Sequence, residues 1–260
     1  MQTVFPGYSF VLVTISLVVA AIGSFIAFHT LRTAALAGTG TPWKSVALAA
    51  VAMGGIGIWS MHFVGMLALS LPVPHGYSLW ETLTSLALAI AATAAAFALL
   101  AGRPRDPWRL LLSSLLLGLG VCAMHYLGML GMRFDGYIVW SWPIVLASLV
   151  LSVAGAGGAL WLVFAARSPM ALRAAPLVMA AAVSGMHYVA MTAASFVCST
   201  ASRNIPGQGV VASTELTNVL MISLVGMMAV LALDQWLWAD PHMSRRRRDG
   251  QRRRNSAGKS

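Results

Sequence analysis

Charge is scarce in this sequence. Only 9% of its 260 residues are Asp, Glu, Lys or Arg, against about 25% in a soluble domain. The acidic residues are Glu81, Asp106, Asp135, Glu215, Asp234, Asp240 and Asp249. All fall between the apolar runs, in the tail, or near the end of a run. This leaves no carboxylate beside an interior histidine for hydrolase chemistry, and no oxygen-rich site for Mg, Ca or Mn. Lysine occurs only as Lys44 and Lys259, both outside the apolar runs, which excludes a retinal Schiff base. Cysteine occurs twice. Cys122 lies deep in the fourth run and Cys198 at the outer end of the sixth. Their depths differ by about 21 Å of helix rise, and a disulfide tolerates about 7 Å between Cα atoms.

Apolar residues are abundant, at 58% of the chain. A water-facing surface cannot be built from this composition. Seven runs, 9–30, 46–70, 80–101, 109–131, 138–165, 174–197 and 215–238, reach the ~20 residues that a helix needs to cross ~30 Å of hydrocarbon. Helices satisfy their own backbone hydrogen bonds in lipid. The expected fold is an all-α membrane protein with seven transmembrane helices. No basic residue precedes the first run, which is also longer than the apolar core of a signal peptide, so it is read as a span.

Basic residues set the orientation. Arg133 and Arg203 fall on the side that holds the N-terminus. The other side holds Arg32, Lys44, Arg103, Arg105, Arg109, Arg167 and Arg173, together with the Arg-rich tail from Arg245 to Lys259. The positive-inside rule places the N-terminus outside and the C-terminus in the cytoplasm of a multi-pass inner-membrane protein. The net charge of +10 is concentrated in that tail, directly after a span. This fits a topology anchor on anionic lipid rather than a nucleic-acid surface.

One pattern recurs three times: Met61-His62-Phe63-Val64-Gly65-Met66, Met124-His125-Tyr126-Leu127-Gly128-Met129 and Met186-His187-Tyr188-Val189-Ala190-Met191. The copies fall on spans 2, 4 and 6, which run in the same direction. The chain therefore reads as three parallel two-helix repeats, related by an axis along the membrane normal, plus a seventh helix. Small residues sit before each first Met (Ser60, Ala123, Gly185) and three after each His (Gly65, Gly128, Ala190), and small residues let spans pack closely. The histidines should converge at one level, about 12–16 Å from the outer interface.

On a helix, positions i and i+4 share a face. His62/Met66, His125/Met129 and His187/Met191 can each offer an imidazole and a thioether to one point. Imidazole suits Cu, Fe, Zn and Ni, and thioether selects Cu(I). The bland alternative is that the histidines tie helices together and the methionines fill gaps. His29, His75 and His242 read as interfacial or solvated, and Trp59 and Trp161 as packing.

The threefold motif resembles that of the MHYT-domain integral membrane proteins of bacteria, named for a Met-His-Tyr-Thr signature in alternate helices. The resemblance covers about residues 8–200 (six spans). A seventh helix at 215–238 follows it, and then an Arg-rich cytoplasmic tail, 239–260, expected to be disordered. Phe63 stands where the name has Tyr, and Leu127 and Val189 where it has Thr. The resemblance implies a sensor of O2, CO or NO through copper held by Met61, His62, Met66, Met124, His125, Met129, Met186, His187 and Met191. Members that signal directly continue into an output domain, and about 22 residues after Trp238 are too few for one. The expectation is therefore a non-enzymatic, copper-binding membrane sensor of a diatomic gas or of redox state, signalling through a separate cytoplasmic partner. Two alternatives stand beside it, copper transport or delivery and a haem-binding redox protein with two axial histidines.

Overall fold

A computed structural model describes residues 2–4, 7–36, 43–101, 106–166, 168–198 and 210–239. Arg103, Arg105, Arg167, Arg203, His242 and the tail beyond Ala239 lie outside the described residues. Helix α1 spans Phe10–Leu36. A second long helix has three parts: α2 (Trp43–Ala50), a π-helical segment (Val51–Ser60) and α3 (Met61–Ala68). Then come α4 (Leu79–Ala101), α5 (Pro107–Leu130), α6 (Trp142–Phe164), α7 (Pro169–Thr192) and α8 (Ser213–Ala239). Among the described residues six helices are long and apolar enough to cross a membrane, from Phe10–Ala34 to Pro169–Thr192.

Burial separates these helices into two classes. In the most apolar stretch of the three motif-bearing helices, 83%, 50% and 61% of residues are buried. For α1, α4 and α6 the shares are 33%, 39% and 28%. The motif helices therefore form the interior and the others face outward. Helix α7 packs on α1 as well as on α6, which closes the ring.

The bundle is the expected all-α membrane fold, and at one end of it the described residues add eight short strands: β1 (Gln2–Val4), β2 (Gly7–Tyr8), β3 (Leu69–Ser70), β4 (His75–Ser78), β5 (Met132–Phe134), β6 (Gly136–Trp140), β7 (Ala194–Cys198) and β8 (Val210–Ala212). The apolar ends of the runs 46–70, 138–165 and 174–197 are thus extended chain rather than helix, because hydropathy does not distinguish the two. Strand β2, before α1, pairs with β3, after α3. Strand β4, before α4, pairs with β5, after α5. Strand β6, before α6, pairs with β7, after α7. In each segment the strand that enters the outer helix is bonded to the strand that leaves the motif helix. His75, expected in a solvated loop, is a half-buried residue of β4. Cys122 and Cys198 are both free and buried.

Gly54 of the π-helical segment and Gly23 of α1 beside it lie where neighbouring backbones leave no room. A Cβ on Gly23 of α1 would stand 2.3 Å from the Gly57 nitrogen, and one on Gly54 would stand 2.7 Å from the Ala89 carbonyl oxygen. A wider helical turn carries i→i+5 bonds, and the Ser60 hydroxyl donates to the carbonyl of Gly55, five residues back, at 3.0 Å. Such segments are rare and are found mostly at functional sites. This one ends one residue before the first motif.

Candidate metal centre

His62, His125 and His187 are fully buried and their rings meet inside the bundle. The three Nδ1 atoms form a near-equilateral triangle. The His62–His187 and His125–His62 edges are 3.1 Å and the His187–His125 edge is 3.2 Å. Ring centroids lie 4.9–5.1 Å apart with the planes nearly perpendicular. After each histidine the helix continues for only five or six residues, to Ala68, Leu130 or Thr192. That is about 8–9 Å of rise, so the cluster lies shallower beneath the strand cap than a helix continuing to the loop would place it.

Two kinds of contact hold the imidazoles. The first is a close seat on the neighbouring motif helix. A Cβ on Gly128 would stand 2.5 Å from His62 Nε2, and one on Gly65 would stand 2.5 Å from His187 Nε2. Gly65 and Gly128, three residues after His62 and His125, therefore make room for a neighbour's ring. The second is the following aromatic, which meets its own histidine edge-on at 4.7–4.9 Å for Phe63, Tyr126 and Tyr188.

In each motif-bearing helix an aromatic side chain is tied to an outer helix through a serine that sequence reasoning missed. Tyr126 bonds Ser148 at 2.8 Å and Tyr188 bonds Ser16 at 2.7 Å. In the first copy Phe63 has no hydroxyl, and the Trp59 indole N–H instead donates to Ser85 at 3.2 Å and to the Thr82 carbonyl at 3.1 Å. All three serines donate to the carbonyl three residues earlier: Val13, Thr82 and Val145. Their oxygens are left to accept, so the tyrosines are the donors. The signal was present in the chain, since Ser16, Ser85 and Ser148 recur at nearly the spacing of the motifs. Trp59 is thus packed and also hydrogen-bonded, and the tyrosine hydroxyls tie two motif helices to outer ones.

The nitrogen triangle has a chemical consequence. A neutral imidazole carries one N–H, so each Nδ1 is either donor or acceptor. Three mutually adjacent Nδ1 atoms cannot all satisfy one another, because with one donor two lone pairs still face each other. A cation at the centre would resolve this by taking all three lone pairs. The centre lies about 1.8 Å from each nitrogen, and zinc–imidazole bonds run about 2.0–2.1 Å, so a small outward shift of the rings fits a metal ion. The three Nε2 atoms are buried with no hydrogen-bond partner among the described residues. In this the cluster departs from the usual metal-bound histidine, whose second nitrogen donates to a carboxylate or carbonyl. The six motif methionines are all buried, at 0–2% exposure, in the same layers of the three helices.

The strand cap closes over this end. Tyr8 of β2 meets Tyr188 edge-on at 6.3 Å, and burial, then its neighbour Tyr188, pushes its phenol up to about 12. Tyr77 of β4 is buried against Phe63 at 5.9 Å, and burial raises its phenol above the ordinary range. Neither supplies an anion at neutral pH.

Fold and site together define a multi-pass α-helical membrane protein with a buried triad of histidines contributed by three helices that carry the same motif. Residues 55–114 and 118–175 each match the MHYT repeat, described as a bacterial signalling protein N-terminal repeat. The chain belongs to the MHYT family. It is 40% identical over 235 residues to MucR, a bifunctional diguanylate cyclase/cyclic di-GMP phosphodiesterase of Pseudomonas aeruginosa. That match covers 86% of this chain and 34% of MucR. It is 26% identical over 200 residues to the signaling protein YkoW of Bacillus subtilis, covering 73% of this chain and 24% of YkoW. An uncharacterized signaling protein of Caulobacter vibrioides is 31% identical over 182 residues, 68% of this chain and 22% of that protein. The chain spans about a third or less of the length of these relatives. No solved structure matches it.

Proposed function

We propose that this protein is a membrane sensor whose histidine triad holds a copper ion. The supporting observation is the 3.1–3.2 Å triangle of Nδ1 atoms, three neutral donors converging on one point in surroundings without a carboxylate among the described residues. The thioethers of Met61, Met66, Met124, Met129, Met186 and Met191 complete a set of nitrogen and sulfur donors suited to Cu(I). When bound, the copper supplies a redox-active centre able to take O2, CO or NO. The protein's own residues do the rest. His62, His125 and His187 donate lone pairs, Gly65 and Gly128 seat the rings, and Tyr126, Tyr188 and Trp59 fix the motif helices to the outer ones.

The reading extends to architecture. The three strand–helix–helix–strand segments are taken as parallel repeats of an MHYT domain covering about residues 8–200. Helix α8 is a seventh span, with the N-terminus outside and the Arg-rich tail in the cytoplasm. A change at the triad reaches α8 through the π-helical segment, because the Met227 sulfur lies against Gly55. The cytoplasmic end of α8 then acts on a signalling partner. Copper content of detergent-purified protein, compared with the His62→Ala/His125→Ala/His187→Ala variant, tests the reading. Copper transport is less favoured, because no second cluster of metal-binding groups accompanies the triad among the described residues. A haem is disfavoured by the 3.1 Å approach of the three rings, which leaves no space for a macrocycle between them.

A further inference from the structure

A cleft of about 310 Å³ opens between α1, α6 and α7, at the end of the bundle opposite the strand cap. Arg32, Arg173 and His29 line it together with Phe28, Val163 and Leu172. The two arginines come from different helices but lie at one level. Arg173 is about 21 Å of helix rise from His187, and Arg32 is about 24 Å from Ser16, the hydroxyl partner of Tyr188. Pro169, the first residue of α7, also lines the cleft, so the positive end of that helix adds to the charge. Among the described residues no acidic side chain lines the cleft, and neither arginine is in an ion pair.

A second cavity, of about 240 Å³, adjoins the first and is lined mainly by apolar groups, Leu48, Met228 and Leu231 among them. The two cavities share Phe25 and His29, whose rings stack at 6.0 Å and 14°. A cationic cleft beside an apolar cavity, at the level of a membrane interface, matches an amphiphile better than a soluble anion. Basic pockets between spans take lipid head groups.

We propose that this is a binding site for the phosphate group of an anionic phospholipid. Arg32 and Arg173 hold the phosphate, and the acyl chains straddle the Phe25–His29 pair, one in each cavity. The occupant bridges α1, α7 and α8, so the lipid would tie the outer helix ring to the helix that leads to the tail. The proposal does not depend on the metal reading.

The test is a titration of the purified full chain with phosphatidylglycerol or phosphatidylcholine of identical acyl chains, read by native mass spectrometry. Phosphatidylglycerol should bind and phosphatidylcholine should bind markedly less. Arg32→Ala/Arg173→Ala should weaken the phosphatidylglycerol complex about 25-fold, at roughly fivefold per basic residue. Arg32→Lys/Arg173→Lys should restore most of that. Both arginines are exposed, so these variants retain the fold. Arg109→Ala, whose partner is Asp106, should change little, and the basic tail is common to all variants. Equal binding of the two lipids, or no loss in the double Ala variant, would overturn the site. Displacement of phosphatidylglycerol by millimolar inorganic phosphate would overturn the lipid assignment in favour of a soluble anion.

Discussion

Gly128 and His62 are in such close contact that a single methyl group would break the arrangement: a Cβ on Gly128 would stand 2.5 Å from His62 Nε2. The glycine belongs to the second motif and the histidine to the first, so one copy of the motif seats the ring of another. Gly65 and His187 repeat the relation. One short pattern therefore specifies both the donor and the seat of a neighbouring donor.

The first prediction follows from that contact. Gly128→Ala should destabilise the protein by about 1–3 kcal/mol, as overpacking of a filled interior does, and should lower metal content by moving the His62 ring. Gly158→Ala, with nothing within 4 Å of its added methyl, should be neutral on both counts. Unfolding midpoints and metal analysis of the two variants check this. Equal effects would mean that the glycine seat does not position the histidine.

The serine anchors yield a second prediction. Tyr126→Phe and Tyr188→Phe each remove one donor to a serine that has already given its own proton away. Interhelical hydrogen bonds in membranes average about 0.6 kcal/mol, and each variant should lose roughly that. A double-mutant cycle of Tyr126→Phe with Ser148→Ala should show coupling of the same size. The cycle of Tyr126→Phe with Ser16→Ala, which are not partners, should show none.

How much of this was legible in the chain depends on the kind of interaction. The apolar runs and the triple recurrence of Met-His-aromatic were enough to place His62, His125 and His187 on three co-directed helices at one level. Which ring nitrogen faces inward was not legible, because that depends on ring rotation against Gly65 and Gly128 on other helices. The strand cap was hidden because Ile138 to Trp140 and Ala194 to Cys198 are as apolar as the helices they adjoin. The π-helical segment left only its glycines as a trace, and glycines at Gly54, Gly55 and Gly57 read equally well as ordinary close packing. The serine anchors were written into the sequence as a second recurrence, but single serines in apolar runs carry little signal without a tertiary partner.

Topology gives a third prediction. With the N-terminus outside and α8 as a seventh span, a reporter fused at Ser260 should be active only if it works in the cytoplasm. A reporter in the segment between Met132 and Gly136, at the strand-capped end, should be active only outside. Activity of a periplasmic reporter at Ser260 would either remove α8 as a span or reverse the assignment of the Arg-rich face, and the reporter at the strand-capped end tells the two apart.

The nitrogen triangle is proposed to be a copper site. The direct measurement is the copper content of purified protein and of single variants after identical loading and dialysis. His62→Ala, His125→Ala and His187→Ala should each lose most of the bound copper. His29→Ala and His75→Ala should retain it, since His29 is exposed beside Phe25 and His75 bonds the Val73 carbonyl in the cap. Equal loss from all five, or no copper in the wild-type chain while the triple variant folds normally, would contradict the account and leave the histidines as helix ties alone.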